Sequence, residues 1–435
     1  MNDGDSLESP RGAQTSLRRV VLGTVGARIL NVVLGGLTGV VIARVLAPEG
    51  RGAYAVVVTT ATLAVAIGHL SVEQAHLAMW KVTEQRRALA ANAIALAAVV
   101  GTAAALIAYG VVHLLGPTRV PIYSNLGLAL ALAGAPIAIL VLYLNNLVAL
   151  SARVDRLNRG LVLSATAQTA ALLGLAAVGR LTVTAVVAVW LASTALPLLL
   201  TVPVLRPRFS DASAAVLKAE VTRGLRYHVG GALLFLLFRV DVFIVNAYRT
   251  QADVGLYALA VTIAELVYLL SDSIGQAVTA RQASGDRADS LAVTTLAFRV
   301  TVVGSGLLVI LLALVAPIIL PLVYGEAFRG SVPAFLLLLP GVLALAVGRP
   351  IAGLLATMDV PGRVAVAVVC AFGVNITAAW LLIPDHGIVG AAAASSIGYL
   401  VLCLGYLGTA HHLTRWHWGE LVPRPQELVR LIRRN

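Results

Sequence analysis

Lysine is almost missing from this sequence: Lys81 and Lys218 are the only two in 435 residues. Neither lies in a Gly-Lys-Ser/Thr run, so there is no phosphate-binding loop and nothing points to direct ATP hydrolysis. Charged residues of all kinds make up 12% of the chain, against roughly 25% in soluble domains. Cysteine is as scarce: Cys370 and Cys403 both fall inside apolar runs, where they read as small core residues and imply no disulfide framework. The polar start, MNDGDSLESPRGAQTS, has no short apolar core with a small-residue cleavage site, so the first apolar run reads as an uncleaved anchor. Long outer loops are lacking too. That disfavours a membrane enzyme of glycan assembly, which would display acidic, His or Arg residues on a sizeable loop or domain.

Hydrophobic residues, at 59%, fill the space left by charge. Apolar runs of about 20 residues recur from Val20 to Ala410, and about twelve fit if each crosses a ~30 Å hydrocarbon core. Uninterrupted runs exclude the alternation of a membrane barrel, so the fold class is all-α and integral to the membrane. Arg11, Arg18 and Arg19 precede the first span and place the amino terminus in the cytoplasm. With the sides alternating, basic residues divide roughly 22 inside against 6 outside, which supports an even number of spans and both ends in the cytoplasm. These charges are spread over every inner loop without stacking aromatics, so nucleic-acid binding is a poor reading.

The stretch ARVLAPEGRGAYA, residues 43–55, separates the first two apolar runs. Pro48 followed by Gly50 and Gly52 predicts a sharp hairpin corner that includes Tyr54. About two hundred residues on, Gly255-Leu256-Tyr257-Ala258 repeats the Gly-x-Tyr-Ala of the first corner. A second echo pairs ALSARVDRLNRG with GLLATMDVPGRV, matching Ala152 to Ala356, Asp155 to Asp359 and Arg159 to Arg363. A six-span unit returns to its starting side, so such repeats form two parallel six-helix lobes. The predicted organisation is a cytoplasmic tail at 1–19, with 1–17 disordered, and an N-lobe at 20–205. A cytoplasmic linker at 206–222 and a C-lobe at 223–411 follow, and then a basic amphipathic tail at 412–435 with Trp416 and Trp418 at the interface. The Gly35-Gly36 pair in the first span predicts close helix packing.

Charges inside spans cost about 2.5–3.5 kcal/mol each on insertion scales, so a cluster of them needs a reason. Arg28, Arg239 and Arg349, with Asn31, are candidates for holding a phosphate-bearing substrate, because guanidinium groups meet phosphate oxygens bidentately. Asp241, Glu265, Asp272, His69 and Glu73 are candidates for exchanging a coupling ion. Glu265, Tyr268 and Asp272 share one helical face at i, i+3, i+7, and His69, Glu73 and His76 share another at i, i+4, i+7. Both stripes fit a shared wet cleft; the alternative is structural ion pairs inside each lobe. The histidine stripe offers three ligands on one face but no fourth, so no metal and no cofactor is assigned. Arg299 stands in the ninth span without an evident partner.

The corner ARVLAPEGRGAYA resembles the first hairpin of bacterial polysaccharide transporters, the O-antigen flippase-like branch of the multidrug/oligosaccharidyl-lipid/polysaccharide exporter superfamily. Residues 324–363, YGEAFRGSVPAFLLLLPGVLALAVGRPIAGLLATMDVPGR, and 375–400, NITAAWLLIPDHGIVGAAAASSIGYL, look like the same family. The resemblance implies a MATE-like flippase fold in the bacterial cytoplasmic membrane, with two bundles alternating around a central cavity. It implies a lipid-linked oligosaccharide substrate on a polyprenyl pyrophosphate, membrane lipids around it, and H+ or Na+ as coupling ion. Other polysaccharide-assembly proteins are implied as partners. A drug/cation antiporter of the same superfamily is the alternative; it would need a carboxylate-dominated cavity. The family often reads Leu-Gly-Pro at the corner, whereas this chain has Leu46-Ala47-Pro48.

Overall fold

The computed structural model describes residues 10–115, 125–358 and 360–422, and every regular element among them is helical. Among the described residues, ten helical stretches are long and apolar enough to cross a membrane. Two of them, Gly23–Gly68 and Pro361–Thr414, run for 46 and 54 residues, each far longer than a ~30 Å core requires at ~1.5 Å per residue. Each is interrupted once by a non-helical residue, Ala47 and Gly387, so each supplies two crossings. The chain is a multi-pass membrane protein of about twelve spans. Large apolar side chains stand exposed along the helices, such as Leu314 at 72% and Leu381 at 70%, as lipid-facing positions require.

The helices divide between two compact units. The first comprises Met1–Val45, Thr60–Val111 and Ser124–Arg226, the second Leu46–Thr59, Val112–Tyr123 and Tyr227–Asn435. Helix α1 (Pro10–Gly68) is followed by α2 (Val72–Met79), α3 (Arg86–Leu115), α4 (Asn125–Ala133) and α5 (Ala135–Leu150). Next come α6 (Val154–Ala177), α7 (Val183–Ala195) and α8 (Leu198–Leu205). Val72, Met79, Leu89, Ala93, Tyr143, Leu144 and Leu147 form the core of the first unit. The second unit is built from most of α9 (Ala214–Tyr248) with α10 (Gln251–Ser284), α11 (Arg287–Tyr324), α12 (Ser331–Thr357) and α13 (Pro361–Thr414). Helix α12 is its hub, packing on α10, α11 and α13.

Local chemistry explains several of these boundaries. Helix α10 starts in a capping box, with Thr250 Oγ1 accepting from the Asp253 N–H at 3.2 Å and Asp253 Oδ2 accepting from the Thr250 N–H at 3.2 Å. Asp286 caps α11 by accepting from the Asp289 N–H at 2.7 Å. Pro340 and Pro350 sit inside α12 and deprive carbonyls one turn back of their N–H partners. A serine answers the second: Ser271 Oγ donates to the Ala346 carbonyl, four residues before Pro350, the usual remedy for proline in a membrane helix, while Ser396 Oγ donates to the neighbouring Leu337 carbonyl.

Several expectations change. Helix α1 reaches back to Pro10, over part of the stretch expected to lack structure, and α9 begins at Ala214, inside the 206–222 linker. The first corner turns at Ala47 (φ 56°), before the proline, while Gly50 and Gly52 lie in the restarted helix. An L-residue there is strained by about 1–2 kcal/mol. Ala47→Gly is therefore expected to raise stability by about 1 kcal/mol, read as a higher thermal midpoint in detergent; an unchanged or lower midpoint would contradict the strain. Gly35 and Gly36 have no described neighbour within 4 Å of a Cβ position. The close approach is made instead by Gly52 and Gly255. A Cβ on Gly52 would lie 2.0 Å from the Gln251 carbonyl oxygen, and one on Gly255 would lie 1.9 Å from the Pro48 carbonyl oxygen. Each glycine thus meets the carbonyl four residues before the other, a reciprocal contact between the two copies of the Gly-x-Tyr-Ala motif.

Cys403 is buried but Cys370 is exposed. Trp416 is no interface residue, being 5% exposed in the second unit's core, whereas Trp418 is exposed and stacks on His411. The predicted amphipathic end of the tail, residues 423–435, and Asp359 lie outside the described residues, as do residues 1–9 and 116–124.

Candidate functional site

Helix α10 carries the polar stripe read from the sequence, and its neighbours answer it. Arg239 of α9 meets Glu265 bidentately, Nη1 to Oε1 at 2.8 Å and Nη2 to Oε2 at 3.3 Å. Two turns along, Arg349 of α12 donates from Nε to Asp272 Oδ1 at 2.9 Å, and Gln276 donates to Asp272 Oδ2 at 2.6 Å. Gly275 makes room for the second bridge, because a Cβ there would sit 3.2 Å from Arg349 Cγ. All four charged side chains are partly exposed: 30% and 42% in the first bridge, 27% and 28% in the second.

Asp241, two residues from Arg239, is buried to 1% exposure, and among the described residues its hydrogen bonds come from hydroxyl and backbone N–H donors. Its Oδ2 accepts from the hydroxyls of Tyr257 and Ser395, the latter at 2.9 Å, and its Oδ1 accepts from the Val242 N–H at 2.8 Å. Tyr257 belongs to the second Gly-x-Tyr-Ala motif, so the repeat both packs a backbone and supplies a donor to a buried carboxyl. Neither Tyr257 nor Ser395 is legible as a site residue from sequence, since a lone hydroxyl in an apolar helix carries no spacing signal.

The first unit holds the remaining candidates apart from one another. Arg28 is exposed and Asn31 half-buried on α1, and neither makes a polar contact among the described residues. Between α1 and α6 runs a largely apolar groove of about 780 Å3 whose wall includes Gly23, Gly26, Leu30 and Val162. His69 and Glu73 pair with each other at 3.1 Å beside the break at Leu70 and Ser71, both of which have positive φ. His76 points elsewhere. Its Nε2 lies 3.1 Å from Glu220 Oε1, both side chains are fully buried, and Asn92 Nδ2 donates to Glu220 Oε2 at 2.9 Å. The three residues of the histidine stripe therefore do not converge on a common ligand. Arg299 is not partnerless: Nε donates to the Glu420 carbonyl at 2.7 Å.

The corner residues Pro48, Gly50, Gly52 and Tyr54 lie in the second unit beside α10. Arg51, at 6% exposure, lies within electrostatic reach of Tyr54 and Tyr324.

A family model described as "Polysaccharide biosynthesis protein" matches residues 41–333, about two thirds of the chain. The chain belongs to this polysaccharide biosynthesis family. No curated protein sequence matches it. Among solved structures, the chain is similar to the lipid II flippase MurJ in an inward closed conformation, with a TM-score of 0.72 at 13% identity over 90% of this chain and 87% of that one. It is similar to an inward-facing multidrug resistance MATE transporter of the MOP superfamily, with a TM-score of 0.69 at 15% identity over 88% and 95%. A MOP superfamily transporter from Pyrococcus furiosus gives 0.66 at 13% identity over 92% and 96%. At these identities the likeness establishes the fold, which is that of the MOP transporters.

Proposed function

We propose that this polysaccharide biosynthesis family member is a flippase. It carries an oligosaccharide linked to polyprenyl pyrophosphate across the bacterial cytoplasmic membrane by ion-coupled alternating access, for assembly of cell-surface polysaccharide. The observation that carries the reading is the pair of half-exposed arginine–carboxylate bridges on one face of α10. A guanidinium held by a carboxylate presents the geometry that a phosphate needs, so a pyrophosphate can take the place of Glu265 on Arg239 and of Asp272 on Arg349. Buried bridges would not exchange; bridges with about a third of their surface open to solvent can.

The exchange also supplies coupling. Each carboxylate displaced from its arginine is left without its cation and is open to a coupling cation from solution, so anion entry draws cations with it. Asp241, held by hydroxyl and N–H donors, is a further proton or ion carrier. His69 and Glu73 form a second exchangeable pair in the first unit. Arg28, free of any carboxylate among the described residues, is a third guanidinium for the substrate, with Asn31 beside it.

The test is complementation of a strain lacking a known flippase, with the accumulated lipid-linked intermediate identified by mass. Wild-type protein should clear the intermediate, and Arg28→Ala should abolish export while leaving membrane insertion intact. Normal surface glycan in the Arg28 variant would remove its pyrophosphate role. Gradient-driven export of a cationic drug without any effect on the intermediate would favour the antiporter reading, and bond formation by the purified protein would favour an enzyme.

A further inference from the structure

The inner loops of the first unit hold more than a topological excess of positive charge. Two adjoining cavities, of about 260 and 510 Å3, share Val204 and Arg206. Arg87 and Arg208 line one and Arg153 and Arg156 the other, and Asp211 is the only acid in either wall. These residues come from three separate helix ends: the start of α3, the start of α6 and the end of α8. Arg156 lies 3.7 Å from Asp155 and its Nε is buried without a hydrogen bond. Among the described residues, Arg87, Arg153, Arg206 and Arg208 have no ion-pair partner. A positive-inside bias explains the sign of these loops but not why three helix ends converge to make a concave wall of guanidinium groups.

Three further features point to an anion. Arg87, Arg153 and Arg156 stand in or beside the first turns of α3 and α6, where the N–H groups of a helix N-terminus add partial positive charge. No side chain caps α6, where Arg153 holds the N-cap position. Arg206 is itself in the left-handed region (φ 45°), a conformation that costs an L-residue free energy and is kept where the surroundings impose it.

The ligand's other half is indicated by what lies beside the arginines. Phe209 is 74% exposed, and Leu199 and Val202 are exposed along α8. An apolar track therefore leads from the charged cavities down a membrane helix. A soluble phosphate has no use for it; acyl chains do.

We propose that these cavities bind an anionic glycerophospholipid, with the two compartments taking the two phosphodiesters of a cardiolipin-type headgroup and the acyl chains lying along α8. Basic pockets between membrane helices suit such headgroups. Its lining shares no residue with the α10 bridges, and binding there does not depend on the transported substrate.

Full-length protein, purified and stripped of lipid, is titrated with tetraoleoyl cardiolipin, dioleoyl phosphatidylcholine or inorganic pyrophosphate, with binding read by native mass spectrometry and thermal midpoint. Cardiolipin should be retained and should raise the midpoint, while phosphatidylcholine does neither. Each of Arg153→Gln, Arg206→Gln and Arg208→Gln should weaken binding about fivefold, and the triple variant about a hundredfold. Equal retention of both lipids, or wild-type affinity in the triple variant, overturns the site. Pyrophosphate giving the whole midpoint shift, with no further gain from cardiolipin, overturns the lipid assignment in favour of a soluble phosphate. Should the triple variant fail to fold, a salt titration of wild-type protein decides: cardiolipin should be released steeply as salt rises, and release independent of salt overturns the proposal.

Discussion

Exchanging the charges of one bridge, as Arg239→Glu with Glu265→Arg, is expected to give a folded, inserted protein that does not export. The single change Arg239→Ala should lower export by roughly 10²-fold, the scale on which a well-made charged contact acts. Its cost to stability should be small, about 1 kcal/mol or less, because both partners are partly solvated. In the exchanged variant the bridge re-forms with its partners reversed, so whatever it contributes to packing α9 against α10 returns. What does not return is a guanidinium on α9, where the pyrophosphate would be met, or a carboxylate on α10 free to take the proton. A purely structural bridge predicts the opposite result, recovery of both stability and export. Surface glycan per inserted molecule distinguishes them: recovery above about a tenth of the wild-type level would leave the bridge with no part in transport. Glu265→Gln adds a second reading. It should retain substrate binding while export loses its dependence on the ion gradient, since an amide cannot exchange a proton.

What the sequence discloses and what it withholds differ by range. Span positions follow from local hydropathy: apolar runs of about 20 residues mark the crossings, and α12 occupies one of them at Ser331–Thr357. The stripe of Glu265 and Asp272 is equally legible, because i, i+7 spacing fixes a face before any partner is known. Its partners are not fixed by spacing. Arg239 and Arg349 stand out only as costly intramembrane charges, and nothing in the sequence assigns one to each carboxylate. Glu220 reads as a linker residue because its partner His76 is distant in the chain and unrelated by any period. Arg299 looks unpaired for a different reason: its acceptor is a backbone carbonyl, and carbonyls are the same in every residue. At the first corner, propensity names the glycines and the proline, but the reversal falls on Ala47, where the surrounding packing overrides the cost of positive φ. The glycines that looked like hinge residues are needed for space instead.

That need for space makes the two motif glycines the second place where a small change should have a large effect. Gly52→Val or Gly255→Val brings a branched side chain into a gap where even a Cβ would lie within 2.0 Å of a carbonyl oxygen. Neither neighbour is a flexible side-chain end; both are backbone, so the first-corner helix and α10 must move apart. The expected cost is about 3 kcal/mol for either substitution, at the upper end for overpacking, and is visible as a lower thermal midpoint or loss of monodisperse protein. The milder pair Gly52→Ala and Gly255→Ala tests the reciprocity. Because each methyl meets the carbonyl four residues before the other glycine, one separation of the two helices relieves both clashes. The double variant should therefore cost clearly less than the sum of the singles, with a coupling of about 1 kcal/mol or more. Additive losses would mean that the two contacts yield independently, and the two copies of the motif would then be neighbours without forming a single joint. Under coupling, the duplication legible as Gly-x-Tyr-Ala has a physical reason to persist in both halves: each copy is the surface on which the other packs.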